Sequence, residues 1–182
     1  HSHKDNPNEN FPRELMELFL LGEGHYNYQD VKAVSKAFTG RRTDYNYPYK
    51  MYIEKNAFDN SNKTLFGKSG NWNGDDVIDI ILGEYQTARY ISRSALIFFL
   101  GQVPATNYLD ECAKVYYSSG YNFESLLKKI FCSHWFYLPD YLNNKVKTPV
   151  ELLVDLQHKT GIRCVGIKTT NFFLRFCGQQ LF

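Results

Sequence analysis

The sequence predicts an all-α fold of about seven or eight helices in one domain. Apolar residues recur at helical spacing through most of the 182 residues, capping residues precede these stretches, and glycines follow several of them. A chain of this length fits one domain with one core, so we expect residues 1–182 to form a single helical domain. Residues 45–70 are the exception, because alternating and turn-forming residues predict a small β-hairpin or a long ordered loop there.

The predicted helices are marked mainly by their ends. With their caps they cover residues 11–21, 27–40, 73–82, 87–100, 107–117, 122–131, 148–160 and 169–179. The first helix tolerates Pro12 in its opening turn and stops at Gly22. In the second helix, Asn27 stands three residues before Asp30, which is a helix-capping pattern.

The later helices are predicted by the same kinds of signal. Asp75 and Asp76 place acidic groups at the positive end of the third helix. The fourth helix is the most apolar, and the fifth has its apolar residues on one side. Asn122 caps the sixth, which has the clearest apolar stripe. Thr148 and Glu151 form a capping box that starts the seventh, and the eighth is rich in phenylalanine.

Composition argues against several classes of function. The formal charge of +2 and the scattered lysines and arginines lack the basic patch of a nucleic-acid-binding protein. No uninterrupted run of about 18 apolar residues predicts a membrane span. Aromatic residues make up 16% of the chain and are expected mainly in the core. No metal or cofactor motif is found, and Cys112, Cys132, Cys164 and Cys177 are expected as small buried hydrophobes.

One polar segment is the main candidate for a functional site. It supplies six residues just before and within the first helix: Asn8, Glu9, Asn10, Arg13, Glu14 and Glu17. Two interpretations stay open, a well-capped helix start or a pre-organised polar cluster beside a cleft. Arg13 is the only cation among three carboxylates. We expect this cluster to be buried, with the two asparagines satisfying the remaining carboxylate oxygens.

Segments spread in order along nearly the whole chain match the pattern of a known family. They include Asn8-Glu9-Asn10-Phe11-x-Arg13-Glu14-Leu15-Met16-Glu17-Leu18, Asp30-Val31, Lys36-Ala37-Phe38-Thr39-Gly40, Lys63-Thr64-Leu65-Phe66-Gly67, Asp76-Val77-Ile78-Asp79, Thr87-Ala88-Arg89-Tyr90-Ile91, Ser119-Gly120-Tyr121 and Val146-Lys147-Thr148-Pro149-Val150-Glu151. On these residues the chain resembles the bacterial domain-of-unknown-function family 1800.

The resemblance implies a setting and a partner. Members of the family resemble exported bacterial proteins, which implies a periplasmic or extracellular location. They are often encoded beside a second family that looks like a sulfatase or phosphatase relative, which implies a protein partner. Members also extend beyond both ends of this chain. We therefore expect a fragment, whose apolar end at Leu181 and Phe182 leads into the rest of the protein.

The chain departs from the family pattern at four positions. Phe58 stands where the family often has His, Pro12 replaces a usual Ala, Leu20 replaces a usual Thr, and Ser94 replaces a usual Lys. Any role of that histidine is absent here. If the family is enzymatic, the resemblance therefore implies a weakened copy.

Two hypotheses of function follow. The first is a non-catalytic helical scaffold or interaction domain of an exported protein that acts with a partner on extracellular polymer. The second is a hydrolase-like enzyme centred on the polar segment of the first helix, with Asp59, Lys63, Lys147 and Glu151 as secondary candidates. An enzyme requires these residues around one pocket, whereas a scaffold leaves them on separate faces.

Overall fold

The computed structural model describes residues 2–46, 49–161 and 166–179, and this part of the chain is mostly helical. The α-helices in it are α1 (Asn10–Glu14), α2 (Tyr28–Ala37), α3 (Gly74–Leu82), α4 (Tyr85–Leu100), α5 (Thr106–Ser118), α6 (Phe123–Phe131), α7 (Pro149–Thr160) and α8 (Ile167–Phe176). A π-helix (Leu15–Leu20) continues α1, and two 3₁₀ turns (His134–Tyr137 and Pro139–Tyr141) follow α6. The prediction of a helix-dominated fold is confirmed.

Two small antiparallel hairpins replace the single hairpin or loop predicted for residues 45–70. The strands are β1 (Arg41–Asp44), β2 (Lys50–Ile53), β3 (Lys63–Leu65) and β4 (Lys68–Gly70). β1 pairs with β2, and β3 pairs with β4. The first hairpin begins earlier than predicted because Gly40 takes a positive φ of 72° directly after α2. A Cβ at Gly40 would lie 2.9 Å from the carbonyl oxygen of Glu54, so this turn requires glycine.

The first predicted helix is not one continuous α-helix. After Glu14 it widens into the π-helix, whose end is closed by the amides of Leu21 and Gly22 bonding to the Met16 carbonyl. Met16 and Leu21 are five residues apart and both are buried. In an α-helix, residues five apart point about 140° away from each other, whereas the wider π turn aligns them. The widening therefore lets both side chains enter the same core.

The predicted capping residues hold the helix starts. The Asn27 side chain accepts from the amides of Gln29 and Asp30, and the Asp30 side chain accepts from the Asn27 amide at 2.9 Å. Asp30 is buried, and its second oxygen accepts from the amide of Phe66 at 3.3 Å, in the turn between β3 and β4. One carboxylate thus closes the cap of α2 and fixes the second hairpin against it. Capping boxes also start α3 and α7.

Most of the buried apolar residues that the structure describes form two clusters, not the single core that was predicted. The N-terminal cluster contains Met16, Leu21, Val31, Ala33, Val34, Ala37, Leu65, Val77 and Ile81. The C-terminal cluster contains Ala88, Leu96, Leu100, Leu109, Cys112, Tyr116, Leu126, Ile130 and Trp135. The boundary falls between α3 and α4, because each helix gives its apolar side to a different cluster.

Side-chain hydroxyls join the two clusters at the carboxyl end of α3. The donor and acceptor pairs are Thr87 Oγ1 to the Ile81 carbonyl at 2.6 Å, Tyr117 to the Gly83 carbonyl at 2.9 Å, and Tyr121 to the Leu82 carbonyl at 2.5 Å. The last carbonyls of a helix lack partners within it. Here they are satisfied by residues of α4, α5 and the turn after α5, and we call this set of bonds the hydroxyl joint.

Helix α4 satisfies a second helix end in the same way. Its Gln86 side chain donates to the Leu21 carbonyl at 2.8 Å, and the Tyr90 hydroxyl donates to the Leu18 carbonyl at 3.1 Å. Both acceptors lie at the end of the π-helix. Several tyrosines of this chain are therefore hydrogen-bond donors to backbone carbonyls.

The expectation that the aromatic residues lie mainly in the core is wrong, because among the described ones only Tyr116 and Trp135 are buried. Other rings pack partly buried against the two clusters, and many are exposed.

The expectation of buried cysteines is only partly met. Cys112 is buried in the C-terminal cluster, and burial raises the pKa of its thiol to about 11. Cys132 and Cys177 are exposed, because each follows the last residue of a helix. Cys164, like the predicted apolar end at Leu181 and Phe182, lies outside the described residues. Among the described helices, none has both the length and the apolar character that a membrane span requires.

The hydroxyl joint predicts an unequal effect of two tyrosine substitutions. Tyr121→Phe removes the donor to the Leu82 carbonyl while it keeps the ring, so we expect a loss of about 1–2 kcal/mol in the free energy of unfolding. Tyr137→Phe removes an exposed bond of the same kind, to the Phe131 carbonyl, and should cost under about 0.5 kcal/mol. Urea melts of the two variants measure both losses. Equal losses would contradict a special role for the joint.

Candidate functional site

The polar segment before α1 acts as a helix cap. The Asn8 side-chain oxygen accepts from the amides of Asn10 at 2.8 Å and Phe11 at 3.4 Å. The Asn10 amide group then donates to Glu14 at 3.3 Å, one turn further along. Asn8 therefore satisfies the start of the helix, and Asn10 is the asparagine that donates to a predicted carboxylate.

Two of the predicted carboxylates are bound by tyrosines from the loop and helix that follow. Tyr26 donates to Glu17 at 2.6 Å, and Tyr28 donates to Glu9 at 3.3 Å. Burial, together with the hydrogen bond to the Glu17 carboxylate, raises the pKa of Tyr26 to about 12. The phenol therefore keeps its proton at neutral pH and remains a donor.

The expectation that Arg13 is buried among three carboxylates is wrong. Its side chain is exposed, and none of the ion pairs within the described residues includes it. The predicted ladder needs a regular α-helix from Glu9 to Glu17. The π turn that begins at Leu15 shifts Glu17 from its i+4 position. Glu9, the N-cap residue of α1, has its carboxylate turned to Tyr28. Both carboxylates bond to tyrosines in place of Arg13.

This geometry predicts a small effect of removing the cation. We expect Arg13→Met to change the free energy of unfolding by less than about 1 kcal/mol, since it breaks no buried ion pair. Chemical denaturation of the variant beside the unmodified chain measures the change. A loss above about 2 kcal/mol in the free energy of unfolding would instead support the buried cluster that the sequence predicted.

The secondary candidate Lys63 is buried, with only 3% of its surface exposed. Its ammonium donates to the carbonyls of Asp59 at 2.6 Å and Ser61 at 2.9 Å, and to the Asn71 side chain at 3.3 Å. It also lies 5.1 Å from the ring centre of Phe58. Burial lowers the pKa of Lys63, and the nearby Asp59 partly opposes this.

The carboxylate of Asp59 accepts hydrogen bonds from a residue in its own turn, Ser61. It accepts from the Ser61 amide at 2.8 Å and from the Ser61 hydroxyl at 2.5 Å. Burial works against ionisation, but the two bonds from Ser61 and the charge of Lys63 outweigh it and lower the pKa of Asp59. Asp59 and Lys63 together therefore hold the loop that leads into β3.

The loop geometry predicts that Lys63 contributes strongly to stability. Lys63→Met leaves two backbone carbonyls and one amide oxygen without their donor, so we expect a loss of about 1–3 kcal/mol in the free energy of unfolding. Lys68→Met is the matched control, because Lys68 is exposed and makes a 3.6 Å ion pair with Glu84; it should cost under about 1 kcal/mol. Thermal and urea melts compare the two, and equal costs would count against the assigned role.

The last two candidates, Lys147 and Glu151, line a cavity of about 440 Å³ at the start of α7. Lys147 pairs with Asp155, and Lys145 pairs with Glu151 at 3.1 Å. Hydrogen bonds from the Thr148 backbone and from Lys145 lower the pKa of Glu151, and bonds from Lys147 and Lys159 lower the pKa of Asp155. Neither carboxyl group is therefore a proton donor at neutral pH.

The candidate residues lie in three separate places. The first group is at α1, the second beside β3 and the third at α7, and the cavities that include Asn8, Lys63 and Lys147 have no lining residue in common. Within the described residues, no three His, Cys, Asp or Glu side chains come close enough to form a metal site. The structure does not bring the predicted residues around one pocket.

The family model described as Protein of unknown function (DUF1800) matches residues 1–182, the whole chain. The chain belongs to this family. No curated protein and no solved structure gives a significant match. Among the segments that carry the match, this family member uses Asp30, Lys63, Thr87 and Tyr121 for structural hydrogen bonds.

Two surfaces were not predicted from the sequence. The β1–β2 hairpin exposes a row of aromatic and aliphatic side chains: Tyr45, Tyr49, Met51, Tyr52 and Ile53. The second surface is a group of lysines that includes Lys32 and Lys36, which lie four residues apart on α2. The sequence did indicate this group, because neither lysine has an acidic residue four positions away on the helix that could pair with it. The exposure of the hairpin had no local signal, since alternation predicts a strand but not what covers it.

Proposed function

We propose that this chain is a helical scaffold and interaction domain of an exported bacterial protein. It acts with a protein partner, a sulfatase- or phosphatase-like protein encoded nearby, on an extracellular polymer. The observation that carries the proposal is the apolar surface of α7 and α8. The exported setting and the identity of the partner rest on the family resemblance.

Helices α7 and α8 expose the side chains that a helix normally buries. None of the residues of α7 is buried, and Leu152, Val154 and Leu156 are all exposed. In α8 only Leu174 is buried, whereas Phe172 is 71% exposed and Phe176 is 85% exposed. Phe98 and Val103 add further apolar area at the end of α4. Apolar area of this kind marks an interaction site.

The local bonding of the candidate polar residues also supports an interaction domain. Glu9 and Glu17 are bound by tyrosines, Lys63 donates to a loop, and Glu151 caps α7. The bonds of Lys63 and Glu151 stabilise a local turn and a helix start. Those of Glu9 and Glu17 hold α1 and the π-helix to the loop and helix that follow. A hydrolase instead needs a general acid or base directed at a shared pocket. The hydrolase centred on α1 stays a second prediction that the same experiment tests.

The experiment measures binding to the neighbouring protein. We expect isothermal titration calorimetry to detect binding between this chain and the sulfatase- or phosphatase-like protein encoded beside it. Phe172→Glu/Phe176→Glu should weaken the affinity at least about tenfold, because it places charges in the apolar surface. Thr169→Glu/Asn171→Glu is the matched control, since it adds the same charge at exposed polar positions of α8, and it should bind nearly as well as the unmodified chain.

Three results would oppose the proposal. The absence of binding heat would contradict the proposed partner. An equal loss of affinity in both variants would contradict the role of the α8 surface. Release of phosphate, sulfate or sugar from a polymer by this chain alone would favour the hydrolase. Circular dichroism of each variant confirms that the helices remain.

A further inference from the structure

A cavity of about 490 Å³ lies between α2 and the β3–β4 hairpin. Its lining includes three lysines: Lys32 and Lys36 from α2, and Lys63 from β3. The two helix lysines are one turn apart and therefore point to the same side. A cavity of this size holds a small polar molecule.

The three lysine charges are not neutralised by carboxylates in direct contact. No ion pair between described residues includes Lys32, Lys36 or Lys63. The Lys32 ammonium lies 4.5 Å from the ring centre of Tyr28, and Lys63 donates to neutral oxygens. Lys36 is close enough for its charge to help lower the pKa of Lys63, after burial. The cavity therefore has an excess of positive charge.

The two nearby carboxylates accept hydrogen bonds from groups other than the three lysines. Asp30 lines the cavity, but both of its oxygens accept from backbone amides, of Asn27 and Phe66. Asp59 is bound by Ser61. They reduce the positive potential of the cavity without pairing with its lysines. The N-terminal end of α2 adds partial positive charge, although the Asn27 side chain already takes the Gln29 and Asp30 amides.

Neutral hydrogen-bonding groups stand beside the lysines. The side chains of Gln29 and Asn62 line the cavity, and the Thr64 hydroxyl lies at 2.7 Å from that of Ser69. Donors thus reach the cavity from the helix on one side and from the hairpin on the other. Such a convergence of charged and neutral donors suits an anion with several oxygen atoms.

The cavity beside α7 provides an internal comparison. It has a similar volume and two lysines, but Lys145 and Lys147 are each paired with a carboxylate, of Glu151 and Asp155. Its charges cancel, so the same physical reasoning assigns no anion to it. The difference between the two cavities is the pairing of the lysines, not their number alone.

We propose that the cavity between α2 and the β3–β4 hairpin binds an oxyanion group, phosphate or sulfate, as the free ion or on a small polar molecule. Lys32 and Lys36 donate to its oxygens, and the buried Lys63 supplies positive charge from the hairpin side. The site is distinct from the surface of α7 and α8. It therefore stands or falls independently of the proposed partner binding.

The test follows backbone amide signals by two-dimensional NMR while an anion is added at constant ionic strength. The probes are sodium phosphate, sodium sulfate, glucose 6-phosphate and uncharged glucose. We expect the amides of Gln29, Thr64 and Gly67 to shift with each anion in the millimolar range and not with glucose. Tighter binding of glucose 6-phosphate than of phosphate identifies a carried group, and equal binding identifies the free ion.

Two double variants decide whether the cavity is responsible. Lys32→Gln/Lys36→Gln should weaken binding at least about tenfold. Lys50→Gln/Lys55→Gln removes the same net charge from exposed positions near the other hairpin and should retain binding. The proposal is overturned if the cavity amides do not shift, or if both variants lose the same affinity, which would indicate general attraction. Unchanged circular dichroism spectra establish that both variants are folded.

Discussion

The arrangement of this chain depends on the satisfaction of backbone carbonyls at the end of α3. The N-terminal and C-terminal clusters bury separate sets of apolar residues, so packing within each cluster does not define where one lies relative to the other. The hydroxyl joint does, together with the bonds from Gln86 and Tyr90 of α4 to the end of the π-helix, because hydrogen bonds are directional. Thr87, Tyr117 and Tyr121 reach the last turn of α3 from two different parts of the chain. The positions of α4 and α5 follow from these bonds.

The sequence predicted what local chemistry determines. The predicted cap at Asn27 and the predicted capping box at Thr148 depend on residues three positions apart, and both are present. The π-helix was missed because it results from burying Met16 and Leu21 together, which is a tertiary requirement. Its effect on the candidate site is direct. Once the turn widens, Glu17 no longer lies in the i+4 position relative to Arg13. Tyr26 and Tyr28, from the loop and helix that follow, donate to the carboxylates of Glu17 and Glu9.

The segments by which this chain resembles its family coincide with structural bonds. Asp30 connects α2 to the second hairpin, Lys63 holds the loop before β3, and Tyr121 belongs to the hydroxyl joint. Phe66 has a positive φ of 48° in the hairpin turn, where its backbone amide donates a hydrogen bond to the Asp30 carboxylate. A pattern made of such residues describes the requirements of a fold.

The hydroxyl joint also has a consequence for how such a sequence can diverge. Its acceptors are main-chain oxygens, which every amino acid supplies, whereas its donors are particular side chains. The side chains in the last turn of α3 are therefore free to drift during evolution as far as the joint is concerned. The donor positions accept far fewer replacements. Because the bonds at this joint involve no charged group, the same contact should also persist across wide ranges of salinity.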